Sequence, residues 1–595
     1  MVFYNDIKEG IMKLFRYSTI LLCSAALALS SCSESFLDHE PNERAHIDSE
    51  KDVLMLLCSA YPTANYQWVA ELSSDNLIDN SAPHMPSSPG ATQILSHYNY
   101  GSYSRFDDQL FKFEPASMAT YNDYDSPGSL WNEYYYSIAT VNHALQAIDE
   151  IAAKSGMTER LKAARAEALL VRAYCHFILV NLFSQGYKNE EKSKNDIGIP
   201  YVKEVEDVVQ KNYSRGNVAD VYAQIREDLE EGLRDQSDAV FEQPKWHFNK
   251  NAAHAFAARF YLYTRQWDKV IEHANQVLGT DSTTTANMMM NYSTFDGCSS
   301  VSDYGTAWQH PNLSNNLMLI KTGSLYYRRI FGYRYSMAGP TAREVMMYHT
   351  HRGLWSGYYV TPIAIVSGML FSSSSSDYGF FNCKMYEEFE YSDKIAGIGY
   401  PHMIMRAFTG NDLLLERAEA SIMLGRYADA ARDLKYYWNN SINTFTEADK
   451  KAFYDAGYIS YLTDEHILSW YANGNNENCF SDWNFTQNVS SDYIIPAQAV
   501  PYMNCLNDFR RFENSFEGLR FFDLKRWGME YKHIVGPTSQ EFILKADDER
   551  RAIEVPWEAL SAGLESSRSS ETGQTPDHQL QMNANSFRIN NDEEE

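Results

Sequence analysis

Two stretches of this chain repeat each other at a distance. Residues 257–278, AARFYLYTRQWDKVIEHANQVL, superpose on residues 417–438, RAEASIMLGRYADAARDLKYYW, with a constant offset of 160. Ala258 falls on Ala418, Trp267 on Tyr427, Val270 on Ala430 and Ile271 on Ala431. Each copy reads as a helix bearing a small residue, a tight polar turn, then an aromatic that opens a second helix lined with small and apolar side chains. Small residues let two helices approach, and the aromatic fills the gap between them, which is the logic of a tetratricopeptide-like unit. Such a unit buries its apolar face only against neighbours of the same kind.

The neighbours are legible as further helices. In residues 159–183, Leu161, Ala164, Ala168, Val171, Cys175, Ile178 and Leu182 recur every three or four positions, and from Val171 onward the opposite face is apolar too, so this helix is expected to be buried on both sides. Residues 130–151 carry Trp131, Tyr135, Ile138, Asn142 and Leu145 on one side. Residues 218–233 turn Val221, Ile225, Leu229 and Leu233 inward and their acids outward. No strand alternation interrupts them. The expectation is a mainly α chain, with helical repeats over about 130–278 and 405–530. Between the copies, residues 279–400 lose the helical period and run through GTDSTTTANMMMNYSTFDGCSS, YYRRIFGYRY, GLWSGYYV and FSSSSSDYGFF. We read this excursion as irregular loops and a few short strands laid over the helical base; connections this long inside a compact body are usually functional.

The amino-terminal end is an export signal. Lys13 and Arg16 precede an apolar run over residues 20–29, and Leu29-Ser30-Ser31 leads into Cys32. The run is about half the ~20 residues that a spanning helix needs, and its basic, apolar, small-residue order is that of a secretory signal. Residues 1–11 precede a better start at Met12, and residues 1–31 are set aside as leader and signal. The ending resembles a bacterial lipobox, in which the cysteine is lipidated and becomes the new amino terminus; the alternative is an ordinary secreted protein cut near Ser31. Acyl chains on Cys32 would hold the chain on a bilayer, at ~0.8 kcal/mol per buried CH₂.

The formal charge is −27, and loss of Lys8, Lys13 and Arg16 with Asp6 and Glu9 makes it one unit more negative. That argues against nucleic acid as a partner. Cys58, Cys175, Cys298, Cys383, Cys479 and Cys505 show no CxxC pair or ligand spacing; they are read mostly as buried thiols, with a disulfide left open.

Taken together, these features resemble the SusD/RagB family, surface lipoproteins of Bacteroidetes nutrient-uptake systems, nearly end to end. The matching residues are Cys32 to Asp38 with Pro41, Glu71-Leu72-Ser73-Ser74-Asp75, Trp131 with Asn142, and Arg172-Ala173-Tyr174 within residues 167–183. They continue through Gly198-Ile199-Pro200, Arg215-Gly216-Asn217-Val218 with Val221-Tyr222, and Asp228-Leu229. The most specific is FEGLRFFDLKRWG, residues 516–528. The end departs from the family, running into NANSFRINNDEEE where a proline-rich segment and a QNPGY-like close are usual; residues 561–595 are read as a loosely ordered acidic tail.

The resemblance implies a single SusD-like body over residues 32–560 with a tetratricopeptide-like platform. It also implies an outer-membrane location facing the exterior, with the lipid bilayer reached through acylated Cys32. The expected partners are a SusC-like TonB-dependent transporter and an oligosaccharide or polysaccharide for uptake, or a peptide in the RagB-like variant. No cofactor is implied, and a structural calcium ion is left open. In the signature, Glu517, Arg520, Asp523 and Arg526 lie three apart, so they are expected to pair along one helix face. Phe516, Leu519, Phe522 and Trp527 are expected to pack against the repeats, a structural rather than a catalytic role.

No catalytic constellation stands out. HExxH, P-loop, dinucleotide and GxSxG patterns are missing, and His349 with His351 reads as surface loop, since no third ligand sits at metal spacing. A carboxylate pair for glycoside hydrolysis is not singled out among 78 acids, so a lipid-anchored hydrolase and a protein scaffold stay as alternatives to a binder. The excess is aromatic, with 42 Tyr, 11 Trp and 30 Phe. Sugar rings offer C–H faces to aromatic planes, and aromatics supply contact area at little entropic cost. The stacking candidates, in residues 96–108 and 279–400, are Tyr98, Tyr100, Tyr103, Trp308, Tyr326, Tyr327, Trp355, Tyr358 and Tyr359. The polar candidates are Asp75, Asn76 and Arg105.

Overall fold

The computed structural model describes residues 47–84, 100–118, 122–206, 213–295, 297–331, 334–338, 341, 345, 370–372, 379–442, 462–472 and 489–568. Helices dominate it. Early in the body come α1 (Glu50–Cys58), α2 (Gln67–Leu72) and α3 (Arg105–Phe111). The long pair α4 (Pro127–Ser155) and α5 (Glu159–Phe183) follows, then α6 (Val218–Asp235). Each of these three begins where a polar side chain closes the first turn. Ser126 Oγ accepts from the Ser129 amide at 3.0 Å with Pro127 behind it, Thr158 Oγ1 accepts from Leu161, and Asn217 Oδ1 accepts from Asp220. These caps satisfy amides that have no partner inside the helix. They are local signals, which is why the helices lie where periodicity puts them.

Helix α5 is long and apolar enough to cross a membrane, yet its apolar window is wholly buried in the body. It is a core helix, covered by α4 on one side and α6 on the other. Arg172 of α5 ties them together, donating to both carboxylate oxygens of Asp228 at 2.7 and 2.8 Å and to Asn142 Oδ1 at 2.9 Å. Arg215 likewise reaches the carbonyls of Gly198 and Phe183 at 2.7 and 2.8 Å. The motif residues Asn142, Arg172, Gly198, Arg215 and Asp228 therefore hold the platform together.

The two repeat copies form matching hairpins, α7 (Lys250–Tyr263) with α8 (Trp267–Leu278), and, beyond the excursion, α11 (Gly410–Met423) with α12 (Tyr427–Ile442). They pack on each other, α8 against α11. Between them Arg259 reaches from α7 to Asp412 at 2.7 Å and Glu416 at 2.9 Å in α11.

The excursion supplies α9 (Val301–Trp308), α10 (Tyr326–Ile330) and most of the sheet structure. Strand β1 (Ile78–Asp79) pairs with β3 (Tyr335–Ser336). An antiparallel sheet of β2 (Asn316–Thr322), β5 (Ile398–Thr409) and β4 (Glu388–Asp393) runs in the order β2-β5-β4, with β4 at the edge. After α13 (Val500–Glu513) and α14 (Leu519–Trp527) comes a hairpin of β6 (Tyr531–Val535) and β7 (Gln540–Leu544). Short strands over a helical base are thus present as expected.

Helix α14 corrects one expectation. Its charges do not pair along a single face: only Asp523 and Arg526 do so, at 2.8 Å. Arg520 donates to both oxygens of Asp75 at 2.7 Å, and Glu517, which precedes the helix, accepts from Arg406 at 2.9 Å. Arg526 also pairs with Glu419 of α11 at 2.6 Å. The reason is burial, because every residue of α14 is inside. A buried charge needs partners on each side it faces, and these come from neighbouring elements. Phe516, Leu519, Phe522 and Trp527 are all buried, with Trp527 Nε1 donating to Glu419 at 3.1 Å.

Of the six cysteines after Cys32, Cys175, Cys383 and Cys505 are buried free thiols, whereas Cys58 is exposed and Cys298 half-buried. Cys479 lies outside the described residues. From residue 561 onward, residues 561–568 are described, and Arg568 is buried, donating to the Phe113 carbonyl at 2.8 Å.

Candidate ligand-binding site

The two aromatic stretches that the sequence nominated meet in space. Helix α3 opens at Ser104, whose amide donates to Asp107 Oδ2 at 2.9 Å, and the helix buries Phe106, Leu110 and Phe111. From the excursion, 225 positions later, α10 brings Arg329, whose Nη1 donates to Ser104 Oγ at 3.0 Å. The same guanidinium meets Asp107 at 3.3 Å, Asp125 at 3.4 Å and the Tyr124 carbonyl at 2.7 Å. It lies 4.8 Å from the ring centroids of both Tyr103 and Phe106. Arg329 is buried, whereas Tyr103 is 50% exposed. An exposed ring is thus seated on a buried cation, an arrangement that cation–π attraction stabilises.

The electrostatics beneath that seat are tense. Burial pushes the Asp125 carboxyl up to about 6 even though Arg329 opposes it, and Asp125 holds a left-handed φ of 56°. Burial also raises Asp107, against the pull of Arg329 and of a 2.8 Å hydrogen bond from Trp68 Nε1. A second arginine, Arg334, joins the same loops, pairing with Asp79 at 2.7 Å and donating to the Tyr100 carbonyl at 2.6 Å. Tyr335 hydrogen-bonds Asp108, which also accepts from Ser102 at 2.8 Å. Under them Phe111 stacks between Tyr335 at 4.3 Å and His533 at 4.0 Å.

The nominated residues divide. Tyr100 and Tyr103 stand at this junction, Arg105 is exposed beside them, and Tyr327 is partly exposed near Tyr386 at 5.7 Å. Tyr326 is fully buried, 5.2 Å from Trp68. Trp308 is 4% exposed, with Arg406 4.7 Å from its ring. Asp75 and Asn76 are inside. Asp75 is held well below the usual carboxylate range, its burial outweighed by Arg511 and Arg520. Asn76 donates to Glu71 at 3.0 Å and accepts from Arg511 at 2.9 Å. These four are packed into the scaffold. Tyr98, Trp355, Tyr358, Tyr359 and the lipidation candidate Cys32 lie outside the described residues.

Sequence reasoning passed over the arginines. Arg328, Arg329 and Arg334 all lie in the stretch YYRRIFGYRY, from which the aromatic reading draws only tyrosines. The signal available was their spacing beside tyrosines. Arg328, partly exposed, makes a bidentate pair with Glu387 at 2.6 to 2.9 Å. Among the described residues no group of three or more His, Cys, Asp or Glu could hold a metal ion. The arrangement offers a ring face with hydroxyl, carboxylate and guanidinium groups around it, suited to stacking and hydrogen bonding.

Residues 35–262 match a SusD-like family model described as starch-binding and associating with the outer membrane. No curated protein matches the chain. Among solved structures, a SusD superfamily protein from Bacteroides vulgatus is similar at TM-score 0.55 and 20% identity, covering 88% of this chain and 99% of that one. One from Bacteroides thetaiotaomicron has TM-score 0.53 and 16% identity, covering 88% and 100%. A SusD-like carbohydrate binding protein from Bacteroides vulgatus has TM-score 0.50 and 15% identity, covering 86% and 96%. At such identities the likeness is one of fold, a mainly helical tetratricopeptide-like platform.

Proposed function

We propose that this chain, a SusD-like protein of the SusD/RagB family, binds a glycan at the Tyr103 patch without cleaving it and passes it to a SusC-like TonB-dependent transporter. The observation that carries the reading is the exposed Tyr103 ring on the buried Arg329 guanidinium. A fixed ring loses little entropy when a sugar stacks on it, and the Ser102, Asp108 and Arg328 side chains nearby match sugar hydroxyls. The description of the family model and the carbohydrate-binding relative support the ligand class. Lipidation at Cys32 would hold the protein at the outer membrane beside the transporter.

The test is electrophoresis of protein lacking residues 1–32 through gels containing starch, β-1,3-glucan, xylan or polygalacturonate. Retardation without product supports a binder, product formation moves the protein to the hydrolases, and indifference to every polymer shifts the reading to a peptide or a protein partner. Radiolabelled palmitate should enter the full chain and not the Cys32→Ala variant. Co-purification of a barrel protein with the native chain tests the transporter.

A further inference from the structure

Strand β4 carries a pair of exposed rings away from the Tyr103 patch. Phe389 is 40% and Tyr391 52% exposed, and their centroids are 5.0 Å apart at 72°. The register sets Phe389 opposite Pro401 and Tyr391 opposite Gly399 of β5. A Cβ at Gly399 would come within 2.7 Å of the Phe389 ring and 2.1 Å of the Glu390 carbonyl oxygen. The glycine therefore lets the Phe389 ring lie against the hairpin backbone, with its other side toward solvent. The opposite face of the hairpin is already engaged. There Lys321 pairs with Glu390 and lies 5.6 Å from the Tyr400 ring.

An ion pair links the ledge to the first site. Glu387, immediately before β4, takes Arg328 in its bidentate pair, and the next residue, Arg329, seats Tyr103. From Glu387 to Tyr391 an extended strand rises about 13 Å, longer than a single sugar ring. Glu387 is already taken by Arg328, and the exposed Asp393 follows the rings on the strand. An apolar protein surface laid here would strip water from the Asp393 carboxylate without replacing it, whereas sugar hydroxyls can donate to it.

We propose that Phe389 and Tyr391 form a second stacking site for the same glycan, so that the protein recognises an internal stretch of a polysaccharide and not a single sugar or a chain end. The proposal rests on the glycan-binding reading of the Tyr103 patch. Its test uses the mature chain in the four polymer gels above, comparing wild type with the Phe389→Ala/Tyr391→Ala double variant and a Tyr391→Trp variant. On the polymer that retards wild type, the double variant should bind at least tenfold more weakly. Tyr391→Trp should still bind, with a blue shift in its difference emission against wild type when polymer is added. Retention of the double variant equal to wild type overturns the ledge, leaves the Tyr103 reading standing and hands the ledge to a protein partner. Indifference of wild type to all four polymers overturns both readings. Should the double variant fail to fold, the Tyr391→Trp emission decides: a shift upholds the ledge, and none overturns it.

Discussion

Arg265 and Gly425 occupy the same position in the two copies of the repeat and hold the same left-handed turn, with φ of 59° and 71°. The turns even share their hydrogen bonds. The amides of Arg265 and Gln266 donate to Leu262 and Tyr261, and those of Gly425 and Arg426 to Ile422 and Ser421. A side chain in this region costs roughly 1–2 kcal/mol. Arg265 meets that cost with a 2.6 Å hydrogen bond to the Asp492 carbonyl and a guanidinium 5.0 Å from the Tyr493 ring. Gly425→Ala has no such compensation and should lower stability by about 1 kcal/mol, with Gly425→Asn costing less. Chemical denaturation reads this directly; an alanine midpoint equal to wild type would remove the strain account.

Arg329 and Tyr103 should separate stability from binding. Arg329→Ala leaves Asp107 and Asp125 buried without their cation, so a loss of about 3–5 kcal/mol is expected. Tyr103→Ala touches an exposed side chain and should change stability by no more than about 0.5 kcal/mol, while weakening retention in the polymer gel about tenfold. A Tyr103→Ala protein that melts like wild type and is retarded like wild type would sink the patch as a binding site.

The Asp125 carboxyl gives a pH signature. Its folded value of about 6 lies above the ordinary carboxylate range, so the native state binds this proton more tightly than the unfolded chain does. The contribution is complete below the unfolded value and is lost as pH rises through 6. Asp125→Asn keeps an oxygen for the Leu325 amide, which donates to Asp125 at 2.8 Å, tolerates the positive φ, and removes the titration. Wild type should therefore gain on Asp125→Asn as pH falls from 7.5 to 4.5, by about 2 kcal/mol at 1.36 kcal/mol per unit. A midpoint difference that stays flat across that range contradicts the assignment.

Asp75 behaves in the opposite sense. Arg520 and Arg511 hold its carboxyl low, so its stabilisation is present above the ordinary carboxylate value and is lost as pH falls into the strongly acid range. Asp75→Asn should cost about 3–5 kcal/mol at neutral pH, because it leaves two buried guanidinium groups short of an anion. A neutral-pH melting curve matching wild type would show that the pair is dispensable.

How much of this was legible in the chain depends on the range of the signal. The repeat offset of 160 sets both hairpins, since α7 begins at Lys250 and α11 at Gly410. The junction of residues 100–111 with 326–336 was half legible. The aromatic signal picks out Tyr103 but not Arg329, although that arginine stands two positions after the candidate Tyr327. Phe389 and Tyr391 were not nominated, because an alternating aromatic pair in a strand reads the same whether it faces core or solvent.

By itself the sequence determined which segments become helices and where they start, because side-chain periodicity and capping act within a few residues. Which charge meets which was decided by the tertiary structure alone. Arg520 could have paired three residues along its own helix, yet it lies against Asp75, 445 positions away. Burial on every side makes the partner a matter of packing geometry, and no local pattern encodes that.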